Sequence, residues 1–280
     1  MAQQPAEPDI VVEFKDVSKT FNEGTHTASL AIRDINFEIH NRPDRGEFVS
    51  LLGPSGCGKS TILRLIAGLR PQFPPTTGQV LVSGKSVQGP GADRGMVFQD
   101  YTSFDNRTVL ENVSFGMECA GMPYKERSHL AQEWITKVGL NFDRDASKYP
   151  HQLSGGMRQR VAIARSLALR PKIILMDEPF GALDPVTRLN MQDLLIRLWH
   201  DLQATVFFIT HSVEEAVFLG DRVFIMSPAP GTILKKIDVP SPDRPAREMQ
   251  RERAFTEMVF SIRDIIENLE AVAQAEKSSS

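Results

Sequence analysis

Residues 53–61 constrain this chain more than any other stretch, reading Gly53-Pro54-Ser55-Gly56-Cys57-Gly58-Lys59-Ser60-Thr61. They fit the phosphate-loop pattern G-x-x-x-x-G-K-[ST] at every fixed position. Ahead of them, Glu47-Phe48-Val49-Ser50-Leu51-Leu52 is a mainly apolar run of strand length. Behind them, Ile62-Leu63-Arg64-Leu65-Ile66-Ala67 reads as a buried helix. Strand, glycine turn and helix start are what phosphate binding requires. The glycines let backbone N–H groups converge without Cβ clashes, and the helix N-terminus adds partial positive charge. Lys59 then reaches the β- and γ-phosphates, and the Ser60 hydroxyl ligates Mg²⁺. A structural glycine turn with an incidental lysine is the weaker reading. The pattern implies a bound nucleoside triphosphate.

At 280 residues the chain holds one large domain or two small ones. Its 41% hydrophobic and 24% charged content is that of a globular protein, and a net charge of −3 argues against nucleic acid held by a basic surface. Two cysteines, Cys57 and Cys119, make no disulfide framework and suit a reducing cytosol. Residues 1–9 lack the basic and apolar regions of a signal peptide. Apolar runs such as Ile173-Ile174-Leu175-Met176 fall far short of the roughly 20 residues of a membrane span. A membrane role would come through a partner.

Strands are expected at 10–15 and 30–39, with Val17-Ser18-Lys19-Thr20-Phe21 and a polar turn at Gly24 between them. Shorter strands follow at 79–82 and 95–98, the latter delivering Gln99 into a loop. From Thr108 to about Gly139 the periodicity becomes helical, with Val109, Val113 and Met117 on one face and Pro123 suited to a first turn. Ser154 opens a third helix, and Asp184 before Pro185 caps a long one. A strand at 205–209 leads to Thr210-His211, and 222–239 reads as a hairpin around Pro230-Gly231. Over 246–270, Phe255, Met258, Val259, Ile262, Ile265, Ile266 and Leu269 share a helical face. That face covers the rest of the chain or, as the lesser reading, binds a partner. Residues 271–280 are expected to be a flexible tail.

A second chemical site stands at Ile173-Ile174-Leu175-Met176-Asp177-Glu178, an apolar strand ending in two carboxylates. Downstream of a phosphate loop, Asp177 suits Mg²⁺, usually through water. Glu178 is expected to point elsewhere, by the alternation of an extended chain, and to polarise the attacking water. Cys57, near a helix N-terminus and beside Lys59, is either a thiolate-prone group or the filler of a variable position.

Leu153-Ser154-Gly155-Gly156-Met157-Arg158-Gln159-Arg160 resembles the signature motif of ABC ATPases. With the phosphate loop and the Asp177-Glu178 strand, the resemblance extends over about residues 10–240. It implies an α/β fold: a phosphate-loop (RecA-like) core with an antiparallel β subdomain and a helical subdomain inserted at about 100–170. It also implies that Phe21 stacks on adenine, that Gln99 senses Mg²⁺ and γ-phosphate, and that His211 contacts the γ-phosphate. Without the family, that Phe would read as core and that His as structural. Asp184, in Ala182-Leu183-Asp184, would cross a dimer interface. Ser154, Gly155 and Gly156 would meet the γ-phosphate held by a second copy, in a head-to-tail pair sandwiching two ATP molecules.

Within the family, Asp177 to Asp184, Arg94 to Gln99 and Ser227 to Gly231 look like the ATPases of nitrate, sulfonate, taurine and bicarbonate importers. This implies permease subunits as partners, a solute-binding protein indirectly, and a place at the cytoplasmic face of the cell (inner) membrane. One departure stands out: Ser103-Phe104-Asp105-Asn106-Arg107 replaces the Leu-Pro-Trp common in that group after its glutamine loop. The cargo is therefore not carried over. Rival readings are a chromosome-organising or DNA-repair ABC protein, a ribosome-acting one, or an exporter ATPase. The first needs a long coiled-coil insertion and the second usually two cassettes; neither is present in this sequence.

Overall fold

The strand that feeds the phosphate loop, β3 (Phe48–Leu52), is buried at every position. So are β7 (Ile173–Asp177) and β8 (Thr205–Ile209). Continuous apolar runs of this kind belong to a parallel sheet covered on both faces. In the computed structural model, which describes residues 10–42, 45–100 and 102–278, they form the middle of a six-stranded sheet. Its order is β10 (Ile233–Asp238), β9 (Arg222–Met226), β3, β8, β7 and β6 (Arg94–Val97). Only β10 runs antiparallel to its neighbour, as the expected hairpin.

Alternation along these strands divides the core in two. Phe48, Ile174, Met176, Val206, Phe208, Val223 and Ile225 face one side, with α6 (Pro185–Leu202), α7 (Val213–Leu219) and the helical subdomain. Val49, Leu51, Ile173, Leu175, Phe207, Ile209 and Phe224 face the other. There they meet α1 (Lys59–Ala67) and an antiparallel sheet ordered β2 (Ser29–His40), β1 (Ile10–Phe21), β4 (Thr77–Val82) and β5 (Lys85–Ser86).

The expected break in β1 after residue 15 is absent: the strand runs on to Phe21. Asp16 takes a φ of 49°, and the pairing to β2 shifts between Phe14 and Val17. Such a bulge reverses which residues face the core, so alternation stops at the point where pairing continues.

The helical subdomain comprises α2 (Val109–Cys119), α3 (Tyr124–Lys137), α4 (Phe142–Asp145) and α5 (Gly155–Leu167). Thr108 and Glu111 form a capping box at α2, and Pro123 stands at the N-cap of α3. The expected 246–270 helix is two pieces, α8 (Ala246–Met249) and α9 (Arg253–Ser278). Phe255, Val259 and Ile262 are buried in the larger core, with Met258, Ile265, Ile266 and Leu269 packed against it. The covering role is the one observed. Helix α9 continues through 271–278, where the sequence suggested a tail; Ala, Gln, Glu and Lys there are strong helix formers. Residues 1–9 and 279–280 lie outside the described residues. No described helix is long and apolar enough to cross a membrane.

Candidate nucleotide site

The phosphate loop is shaped by close approach of distant chain segments. Gly58, the N-cap of α1, has a φ of 98°, a conformation closed to most side chains. A Cβ there would lie 2.3 Å from Ile32 Cγ2 of β2. A Cβ at Gly231 would fall 1.8 Å from the Cys57 carbonyl oxygen. Gly231 N–H donates to the Ala31 carbonyl at 2.9 Å, fastening the β9–β10 turn to β2.

A cleft of about 700 Å³ opens over this loop. Of the expected residues, Phe21, Ser55, Gly56, Gly58, Lys59, Ser60, Thr61, Gln99, Glu178 and His211 line it. Gly53, Pro54 and Cys57 belong to the loop but do not line the cleft, and Asp177 stands behind Ser60. Ser29, Leu30, Ala31 and Ala229 line it as well, unforeseen from the sequence. The signal for them was indirect: the small Gly231 marks where two segments meet the loop.

Lys59 Nζ donates to the carbonyls of Gly53 at 2.8 Å and Pro54 at 3.0 Å, so its ammonium is held at the loop's mouth. Ser60 Oγ donates to Asp177 Oδ1 at 2.8 Å. Burial pushes the Asp177 carboxyl up, opposed by the Ser60 hydroxyl and the Arg64 guanidinium 4.0 Å away. A hydroxyl beside a desolvated carboxylate fits a hard divalent cation.

The expected strand alternation is not what sets Glu178 apart from Asp177. Strand β7 ends at Asp177, and Glu178 takes a φ of 47° while its N–H donates to the Ile209 carbonyl at 3.1 Å. This turn sends its carboxylate to His211, whose Nε2 lies 2.7 Å from Oε1.

Cys57 is only 1% exposed and packs in the smaller core. Burial pushes its thiol up, outweighing the lowering by Lys59, whose Nζ is 4.0 Å from the sulfur. The thiolate-prone reading is therefore corrected: the side chain is a core group, and only its backbone serves the loop.

Ser154, Gly155, Gly156 and Asp184 are not brought to this cleft. Exposed Ser154 caps α5, and exposed Asp184 caps α6 by accepting from Val186 N at 3.1 Å and Thr187 N at 3.0 Å. The two caps are neighbours, since a Cβ at Gly156 would lie 2.9 Å from Thr187 Cγ2. The loop after Gln99 is bound to α5, with Arg165 donating to the Thr102 carbonyl and hydroxyl, both at 2.6 Å.

Comparison with known proteins agrees with this architecture. A nitrate import ATP-binding protein of Synechocystis is 45% identical over 274 residues, 94% of this chain and 99% of the relative. A taurine import ATP-binding protein of Rhizobium johnstonii is 45% identical over 250 residues, 88% and 92% of the two chains. A solved ATP-binding cassette, a dimer in a post-hydrolysis state bound to ADP and Pi, superposes with a TM-score of 0.70. That match has 35% identity and covers 82% of this chain and 99% of that one. A family model described as ABC transporter matches residues 32–181. The chain belongs to the ABC transporter family.

Proposed function

We propose that this chain is the ATP-hydrolysing subunit of an importer for a small anion of the nitrate or sulfonate kind. The observation that carries it is the pairing of Glu178 with His211 in a phosphate-loop cleft that also presents Lys59 and Ser60. Phe21 offers an aromatic face for adenine, and backbone N–H groups between Ser55 and Ser60 receive phosphate oxygens. Lys59 neutralises charge at the β- and γ-phosphates. Ser60, Asp177 and Gln99 would hold Mg²⁺, which supplies charge neutralisation across the same oxygens. Glu178 accepts a proton from the attacking water, and His211 holds that carboxylate and approaches the γ-phosphate.

Ser154, Gly155, Gly156 and Asp184 would complete the site of a second copy, so that two chains enclose two nucleotides. ATP would hold the pair closed and hydrolysis would release it. That difference passes through Gln99 and the helical subdomain to permease subunits at the cytoplasmic face of the inner membrane, served by a solute-binding protein. The cassette would span residues 10–245, covered by the helix that follows. Relatives named for nitrate and taurine import support a small solute bearing a nitrate- or sulfonate-like group.

The test is Glu178→Gln, which removes the proton acceptor without changing shape. ATP binding should persist while turnover falls about 10²–10⁴-fold, the usual worth of a positioned base. Turnover within a factor of about two of the parent would remove Glu178 from this role.

A further inference from the structure

The turn that carries His211 is fixed by a buried carboxylate that capping does not require. Ser212 Oγ accepts from Glu215 N at 3.2 Å and already caps α7. Beneath it, Thr210 Oγ1 donates to Glu215 Oε2 at 2.5 Å and accepts from Ser212 N at 3.0 Å. The Glu215 carboxylate thus holds Thr210 directly, and Ser212 through the Thr210 hydroxyl, on either side of His211. Glu215 is 5% exposed, and burial pushes its carboxyl up. Placing a charge there costs folding free energy that a packed apolar residue would not.

Its other oxygen points to a different part of the molecule. Glu215 Oε1 lies 3.6 Å from Arg188 Nε, with the Gln192 amide also beside the carboxylate. Arg188 sits in the first turn of α6, just after Asp184, and its Nη2 donates to the Leu183 carbonyl at 3.2 Å. Arg188 Nε is buried and has no hydrogen-bond partner among the described residues. Thr210, His211, Glu215, Arg188, Glu178 and Gln99 line a second cleft of about 430 Å³, which leaves Arg188 space to close the gap. One path therefore runs from the 182–184 loop through Arg188 and Glu215 to both sides of His211.

We propose that Glu215 is a positioning residue that links the 182–184 loop to His211 through Arg188, so that the seating of Asp184 against a second copy sets His211 against Glu178. This rests on the ATPase reading given above. It assigns Glu215 and Arg188 no contact with nucleotide, so their loss should slow turnover without weakening ATP binding. Glu215→Gln keeps an oxygen for Thr210 but turns an amide toward Arg188. Arg188→Met keeps the packed stem and removes the charge.

The experiment is steady-state ATP hydrolysis by the full-length chain, with kcat and KM measured for each variant alongside thermal unfolding. Glu215→Gln and Arg188→Met should each lower kcat by about 10- to 100-fold, the scale of a small misplacement of a reacting group, with KM within about twofold. The double variant should be no slower than the slower single one, since both break one path. Thr210→Val should follow Glu215→Gln, and Thr210→Ser, which keeps the hydroxyl, should restore turnover. Wild-type kcat in Arg188→Met, multiplying effects in the double variant, or a change confined to KM would each overturn the link. If Glu215→Gln does not fold, Arg188→Met decides alone, because the Arg188 side chain is a third exposed and its stem is kept. Lys59→Ala separates the two readings. Wild-type turnover that Lys59→Ala leaves intact sinks the ATPase assignment, whereas turnover lost in Lys59→Ala but intact in Arg188→Met sinks the Glu215 link only.

Discussion

At the residue scale, the phosphate loop divides its work between backbone and side chains, and Cys57 shows the division. Its amide belongs to the loop, yet its side chain is part of the smaller core that also holds Val49, Leu51 and Ile62. Proximity to a lysine and a helix start favours thiolate, but burial acts in the opposite sense and is the larger effect here. Native protein treated with a thiol-alkylating reagent should therefore take one label per chain, on exposed Cys119. Cys119→Ser should abolish labelling, and MgATP should change nothing. Labelling of Cys57 that nucleotide prevents would contradict the burial account. Lys59, Ser60, Asp177 and Glu178 were legible because their spacing along the chain is their function. Ser29, Leu30, Ala31 and Ala229 were not, since they reach the cleft only through the Gly231–Ala31 pairing between remote segments.

At the element scale, the C-terminal helix is part of the cassette's core rather than an appendage. Ile262 is 0% exposed, whereas Phe260 on the same helix is 56% exposed. Arg263 also pairs with Glu214 of α7, the helix that follows the His211 turn. Ile262→Ala should destabilise the whole chain by about 2–5 kcal/mol in denaturant unfolding, the range for emptying a buried aliphatic site. Phe260→Ala should stay within about 0.5 kcal/mol of the parent, as at ordinary surface positions. Equal effects would mean that α9 is not packed as described. Its apolar period was readable at 3.6 residues per turn, as were the uninterrupted strands β3, β7 and β8. Elements that broke a period were not. Strand β1 loses its alternation at the Asp16 bulge, and α7 is a seven-residue helix buried at every position but Glu214, too short to show a period.

At the scale of the whole molecule, the proposed function makes the chain half of each of two sites. Lys59, Ser60, Glu178 and His211 gather over its own cleft, while the caps of α5 and α6 stand side by side elsewhere on the surface. In the head-to-tail pair proposed above, a second copy would bring the one set to the other; a dimeric cassette bound to ADP and Pi is a structural relative of this chain. The measurement that bears most directly on this is nucleotide retained by a mixed dimer after rapid removal of free ATP. One chain carries Lys59→Ala, the other Ser154→Arg, and both carry Glu178→Gln to suppress hydrolysis. With two affinity tags the mixed pair is isolated and its assembly verified. In a shared-site dimer both lesions fall in one site, leaving the other with native Lys59 and Ser154. Retention is the better readout than turnover, because coupling between sites can silence hydrolysis even at an intact one. The account predicts one ATP retained per mixed dimer and none by either mutant homodimer. An assembled mixed dimer that retains no more ATP than the homodimers would contradict it.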